Sequence, residues 1–108
     1  MDDKPVALSR AWRFYGLRTS DADRRAYGGF QWPESGLVEA PDWKPEAVCG
    51  YGLHALLKGE GVSSLLNWTQ DATWQLVGFD EYVELSGKVK FPMCEVATGS
   101  RLAVTAAL

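Results

Sequence analysis

Histidine is nearly absent from this 108-residue chain, with one copy at His54, and cysteine occurs only at Cys49 and Cys94. Together these offer three soft metal ligands, with Asp42 or Glu46 as a fourth, but no Cys-x2-4-Cys or His-x3-5-His pair is present, so no metal is expected. Long hydrophobic runs are missing as well. Nothing approaches the roughly 18 apolar residues of a membrane-spanning helix, and the opening MDDKPVALSR lacks the basic and apolar regions of a signal peptide. The expected address is the cytoplasm, with no membrane contact and with both cysteines reduced. Basic charge is scarce: 11 Lys and Arg stand against 14 Asp and Glu. Residues 27–87 carry only Lys44 and Lys58, so no basic stripe is left to neutralise phosphates, and nucleic acid is excluded as a direct ligand.

Aromatic residues are plentiful, with five Trp, four Tyr and four Phe. That is bulky material for the core of a single domain spanning 1–108, with 1–9 expected as a flexible N-terminus. The pattern predicts an α+β fold, a small twisted and mostly antiparallel sheet with one or two short helices packed on it. Alternation predicts strands over Ala11 to Leu17, Thr73 to Phe79, Tyr82 to Phe91 and Met93 to Ala97, the third broken into a hairpin at Ser86-Gly87. Lys88 and Lys90 alternate with Val89 and Phe91, as in a strand with one wet face. Tyr27 to Trp32 reads as extended with a bulge at its glycines, and Leu37 to Glu39 as a short extended piece.

The stretch Glu39 to Leu57 gathers Pro41, Pro45, Gly50, Gly52, Cys49 and His54. It is expected to run extended, turn sharply at Cys49 to Gly52, and enter a helix whose stripe is Leu53, Leu56 and Leu57. Cys49, Gly50, Gly52 and His54 are the loop-shaping residues. A second helical turn is expected over Glu60 to Trp68, with Val62, Leu65, Leu66 and Trp68 inward. Leu102 to Ala106 is expected to be a strand, and 98–108 an edge strand or a vestigial repeat.

Trp32-Pro33, Glu39-Ala40-Pro41-Asp42-Trp43, Cys49-Gly50-Tyr51-Gly52-Leu53-His54, Gly59-Glu60-Gly61, Leu66-Asn67-Trp68 and Gly87-Lys88-Val89-Lys90-Phe91-Pro92 form an ordered series. In it the chain resembles an uncharacterised bacterial and phage family, a domain of unknown function. The resemblance implies a domain that often precedes short Thr-Ala-Gly-rich repeats similar to those of ice-nucleation proteins.

Three functions follow as expectations. Trp32 and Trp43, beside prolines and expected to be partly exposed, stand among Glu34, Glu39, Asp42 and Glu46. This predicts a non-enzymatic interaction module docking on a protein partner with a basic surface, read as a phage or mobile-element inhibitor of a host defence complex. The alternative is an enzyme resembling ADP-ribosyltransferases, with the Gly50-Tyr51-Gly52-Leu53-His54 turn at a nucleotide pocket, a later acid at Glu84 or Glu95, and Arg10 or Arg13 on the first strand. The third is an N-terminal cap of a repeat solenoid, offering an open strand edge at Leu102 to Ala106. No cofactor and no catalytic residue is assigned.

Overall fold

A computed structural model describes residues 4–25, 30–61 and 65–108. Seven strands and one helix occupy them: β1 (Phe14–Ser20), β2 (Ser35–Glu39), β3 (Leu53–Leu57), β4 (Thr73–Phe79), β5 (Val83–Leu85), β6 (Lys88–Phe91), β7 (Met93–Gly99) and α1 (Arg101–Ala106). The strands form one antiparallel sheet in the order β2-β7-β4-β1-β3-β6-β5. The α+β expectation is therefore corrected to an essentially all-β fold, in which α1 is only six residues long.

The helix expected after Gly52 is strand β3. It lies between β1 and β6 and is covered on both faces, Leu53 and Ala55 packing on one and Leu56 on the other. A strand buried on both faces reads as a near-continuous apolar run, which a helical stripe imitates. The strand expected at Leu102 to Ala106 is instead α1. Ser100 caps it, its Oγ accepting from Ala103 N at 3.1 Å. For the helical turn expected over Glu60 to Trp68, the inward facing of Leu65 and Trp68 is corrected, since both are exposed. Val62 lies outside the described residues, as do Tyr27 to Gly29, where the bulge is expected.

The longest ladder is β1 with β4, from Phe14↔Phe79 to Ser20↔Thr73. Alternation along β4 sends Gln75, Val77 and Phe79 to one face and Trp74 and Leu76 to the other, and all are buried. On the first face the sheet closes over Trp32, Val38, Leu53, Val77, Phe79, Val89, Phe91 and Val96. Phe79 stacks on Phe91 with ring centroids 4.1 Å apart. Each fully buried side chain of this size contributes about 1.5–3 kcal/mol of transfer free energy. On the second face Leu17, Trp74, Leu76 and Val104 meet, joined by Val6 and Leu8 of the leading segment. Lys90, expected on a wet face, is fully buried there under the 41–52 loop.

Glu95 of β7 clamps the segment before β1. Its carboxylate accepts from Trp12 Nε1 at 2.9 Å, Ser9 N at 2.8 Å and Ser9 Oγ at 3.0 Å. Opposite Glu95, Gly78 makes room for the indole, because a Cβ there would lie 2.6 Å from Trp12 Cδ1 and 2.7 Å from Leu8 Cδ1.

Gly78→Ala is expected to destabilise the fold by about 1–3 kcal/mol through overpacking against Trp12, read as a lower urea midpoint at unchanged slope. Burial pushes the Glu95 pKa up, but the Trp12 and Ser9 hydrogen bonds outweigh it and hold the carboxyl below its ordinary value. The stabilisation is thus present above the unfolded carboxylate pKa of about 4.3 and is lost as pH falls through the lower folded value. Glu95→Gln should flatten that acid loss in denaturation curves recorded across pH; an unchanged slope with pH would show that Glu95 does not carry it.

Candidate functional site

Strand β1 stays with β4 along all its length but meets β3 only at Gly16↔Leu57 and Leu17↔Leu56. Beyond those two pairs β3 turns away with β6, and the sheet forks. Gly16 sits at the junction, where a Cβ would come within 3.1 Å of Ala55 Cβ and 3.2 Å of the Leu56 carbonyl oxygen. The fork opens into a cleft of about 790 Å³, bounded by the end of β1, the start of β3, Phe30 and Trp32, and the turn Cys49 to Gly52. Its size is that of a small-molecule pocket.

Arg18 forms one wall. Alternation along β1 places it with Phe14 and Gly16, facing the core, and it is 7% exposed. Its guanidinium carbon lies 3.8 Å over the Trp32 ring, and Nη1 donates to Gln75 Oε1. Gln75 is fixed in turn, its Nε2 donating to Pro33 O at 3.0 Å and to Thr98 Oγ1 at 2.9 Å. Burial disfavours the charged guanidinium and pulls its pKa down, yet leaves it protonated at neutral pH. The nearby Cys94 offers no countercharge, because burial pushes its thiol up to about 12.

The opposite wall is the 41–52 loop. Gly50 and Tyr51 hold positive φ values of 90° and 55°, which aims Gly50 N at His54 Nε2 (3.3 Å) and Gly50 O at Lys90 Nζ (3.3 Å). His54 therefore accepts and is neutral. Desolvation, then Lys88, then Lys90 drive its pKa down to about 4, with Asp42 opposing. Lys88 Nζ reaches Cys49 Sγ at 3.2 Å, and both cysteines are free thiols.

Of the residues singled out in the sequence, Asp42, Cys49, Gly50, Gly52 and His54 line this cleft. Trp32 lines it too, but from the core: at 2% exposure it is not the accessible tryptophan expected. Trp43 is half-buried, 3.0 Å from where a Gly52 Cβ would stand. Glu34, Glu39 and Glu46 are exposed away from the cleft, and Glu84 and Glu95 also lie outside its lining. Among the described residues no three His, Cys, Asp or Glu side chains gather as a metal site. Arg18, Gln75, Lys88 and Lys90 join the site without being singled out by the sequence. Alternation in β1 was the available signal for Arg18, since it puts the residue in register with Gly16 on the inward face.

Compared with known proteins, the chain is 38% identical over 84 residues to the ice nucleation protein InaU of Pantoea ananas, covering 74% of this chain and 8% of that protein. It is likewise 38% identical over 84 residues to an ice nucleation protein of Enterobacter agglomerans, covering 74% of this chain and 7% of that protein. To one of Xanthomonas campestris pv. translucens it is 36% identical over 88 residues, covering 78% of this chain and 6% of that protein. The chain thus spans less than a tenth of the length of these relatives. No family model matches, and no solved structure matches.

These relatives overturn the expectation of a phage or mobile-element inhibitor of host defence. They give no support to an ADP-ribosyltransferase-like enzyme either. The solenoid cap loses its named feature as well, because Leu102 to Ala106 is helical and offers no strand edge.

A histidine whose folded pKa lies below its unfolded value of about 6.5 costs stability as pH falls from 6.5 toward 4, where the unfolded chain binds the proton first. In an NMR titration the His54 ring resonances should stay those of neutral imidazole until pH nears 4. Lys88→Met should raise the midpoint, and a midpoint near 6.5 in the wild type would contradict the buried, acceptor role.

Proposed function

We propose that this chain serves bacterial ice nucleation as a discrete, non-catalytic folded module of an ice-nucleation-type protein. The observation that carries the reading is the similarity, at 36–38% identity over roughly three quarters of the chain, to ice nucleation proteins of three bacteria. The finer reading is that it represents the uncharacterised domain that precedes Thr-Ala-Gly-rich repeats in such proteins.

The module is accessory to the ice-forming surface and does not form that surface. An ice template needs a regular lattice of exposed groups, and regularity in proteins comes from stacked sequence repeats. This chain contains no repeated segment. Its large exposed apolar side chains, such as Leu37, Leu65, Trp68 and Leu102, come from three different elements or loops and set up no spacing. What the chain offers is a self-contained sheet with a shaped cleft.

The test is a segment exchange in the InaU protein of Pantoea ananas, in which the 84 matching residues are either deleted or replaced by this chain. Droplets of cells carrying the exchange should freeze at the temperature of the unmodified protein, and those carrying the deletion should freeze colder. Droplets containing this chain alone should freeze with buffer. A deletion that freezes like the unmodified protein at equal expression would overturn the role in ice nucleation, and warm freezing by the isolated chain would overturn the accessory one.

A further inference from the structure

We propose that the fork between β1 and β3 is a binding site for a small organic monoanion, a carboxylate carried on an apolar body, with Arg18 as its anchor. A buried guanidinium without a countercharge is costly to maintain, because desolvation is repaid only by a paired charge and by filled hydrogen-bond positions. Among the described residues Arg18 has no carboxylate partner; the one ion pair there joins Arg10 to Asp80 on the surface, at 2.9 Å. Its hydrogen-bond partner among them is the neutral amide of Gln75.

The side chain is also held rigid. One face of the guanidinium lies against Trp32, Nη1 is tied to Gln75, and Gln75 is tied to Pro33 and Thr98. No buried side-chain nitrogen or oxygen among the described residues lacks a partner. The Arg18 N–H groups that bond to none of these residues are therefore not sealed without a partner, and Arg18 lines the cleft. A fixed, planar donor edge of this kind matches the two oxygens of a carboxylate.

The rest of the cleft sets the remaining chemistry. Phe30, Trp32, Leu53, Leu56 and Leu66 give it an apolar lining. Lys88 and Arg25, both less buried than Arg18, also line it and favour approach of an anion. His54 stays neutral, its Nε2 occupied by Gly50, and contributes no second charge. Asp42 lines the cleft as well and opposes a second negative charge, which the one buried donor edge of Arg18 does not match. A cleft of about 790 Å³ accommodates a body larger than a single ring.

The experiment uses the full chain labelled with 15N and four probes of one shape: benzoate, benzyl alcohol, benzamidine and phenyl phosphate. Benzoate should move the Arg18 Nε–H and Trp32 indole N–H resonances saturably, whereas benzyl alcohol and benzamidine should not. Phenyl phosphate should bind more weakly than benzoate. Arg18→Met keeps the side-chain length and removes the charge, and it should weaken benzoate by at least about tenfold, the scale of one charge-assisted pair. Should that variant fail to fold, the wild-type contrast between benzoate and benzyl alcohol at the Arg18 resonance decides alone. An unmoved Arg18 Nε–H, equal response to benzyl alcohol, tighter binding of phenyl phosphate, or undiminished binding by folded Arg18→Met would each overturn the assignment.

Discussion

The seven-residue ladder between β1 and β4 is the constraint from which the other features descend. It fixes which face each residue of both strands presents, and so places Val77 and Phe79 over one core and Leu17, Trp74 and Leu76 over the other. A slip of one residue would exchange the two cores and drive Arg18 and Gln75 into the apolar face that holds Val104. On its other edge β1 shares only two residue pairs with β3, which then follows β6. The fork and its cleft follow from that unequal division.

The same ladder explains how cations enter the interior. Arg18 is carried inward in register with Gln75, and the amide gives the guanidinium a partner without cancelling its charge. Lys90 enters from the other limb of the fork, paired across from His54, and is met by the Gly50 carbonyl and by Trp43, 5.6 Å from the ammonium. Aromatic faces and carbonyl dipoles satisfy these cations in part, and each is worth less than a full ion pair. A chain that is acidic overall thus concentrates positive charge inside, at its one fork.

Parts of this arrangement were legible in the residues. Thr73 to Phe79 is bounded by polar turn residues and is dense in β-favouring side chains, and β4 occupies those positions. Ser86-Gly87 marks the hairpin correctly, since Gly87 takes a φ of 78° between β5 and β6. Leu53 to Leu57 misled because a strand buried on both faces loses its alternation. Leu102 to Ala106 misled in the opposite sense, where a one-turn amphipathic helix with buried Ala103 and Val104 is too short to display its period. The cleft was half legible: the turn at Cys49 to Gly52 announced itself through its glycines, whereas Arg18 sat in a charged run that reads as solvated surface. Its alternation with Gly16 hints at the inward face, and the pairing of β1 with a strand more than fifty positions away fixes it there.

In the strand order β2-β7-β4-β1-β3-β6-β5, only β5 and β6 are neighbours both in the sheet and in the sequence. Every other pairing closes a long loop before it gains any contact, and loop closure of that kind slows folding. During synthesis Ser20 must wait for Thr73, and Val38 for Cys94, before either can find its partner. The first half of the chain, with Trp12, Trp32 and Trp43 between its strands, therefore leaves the ribosome before most of its strand partners exist. Its sheet is complete only once β7 has emerged, because β7 is what joins β2 to β4.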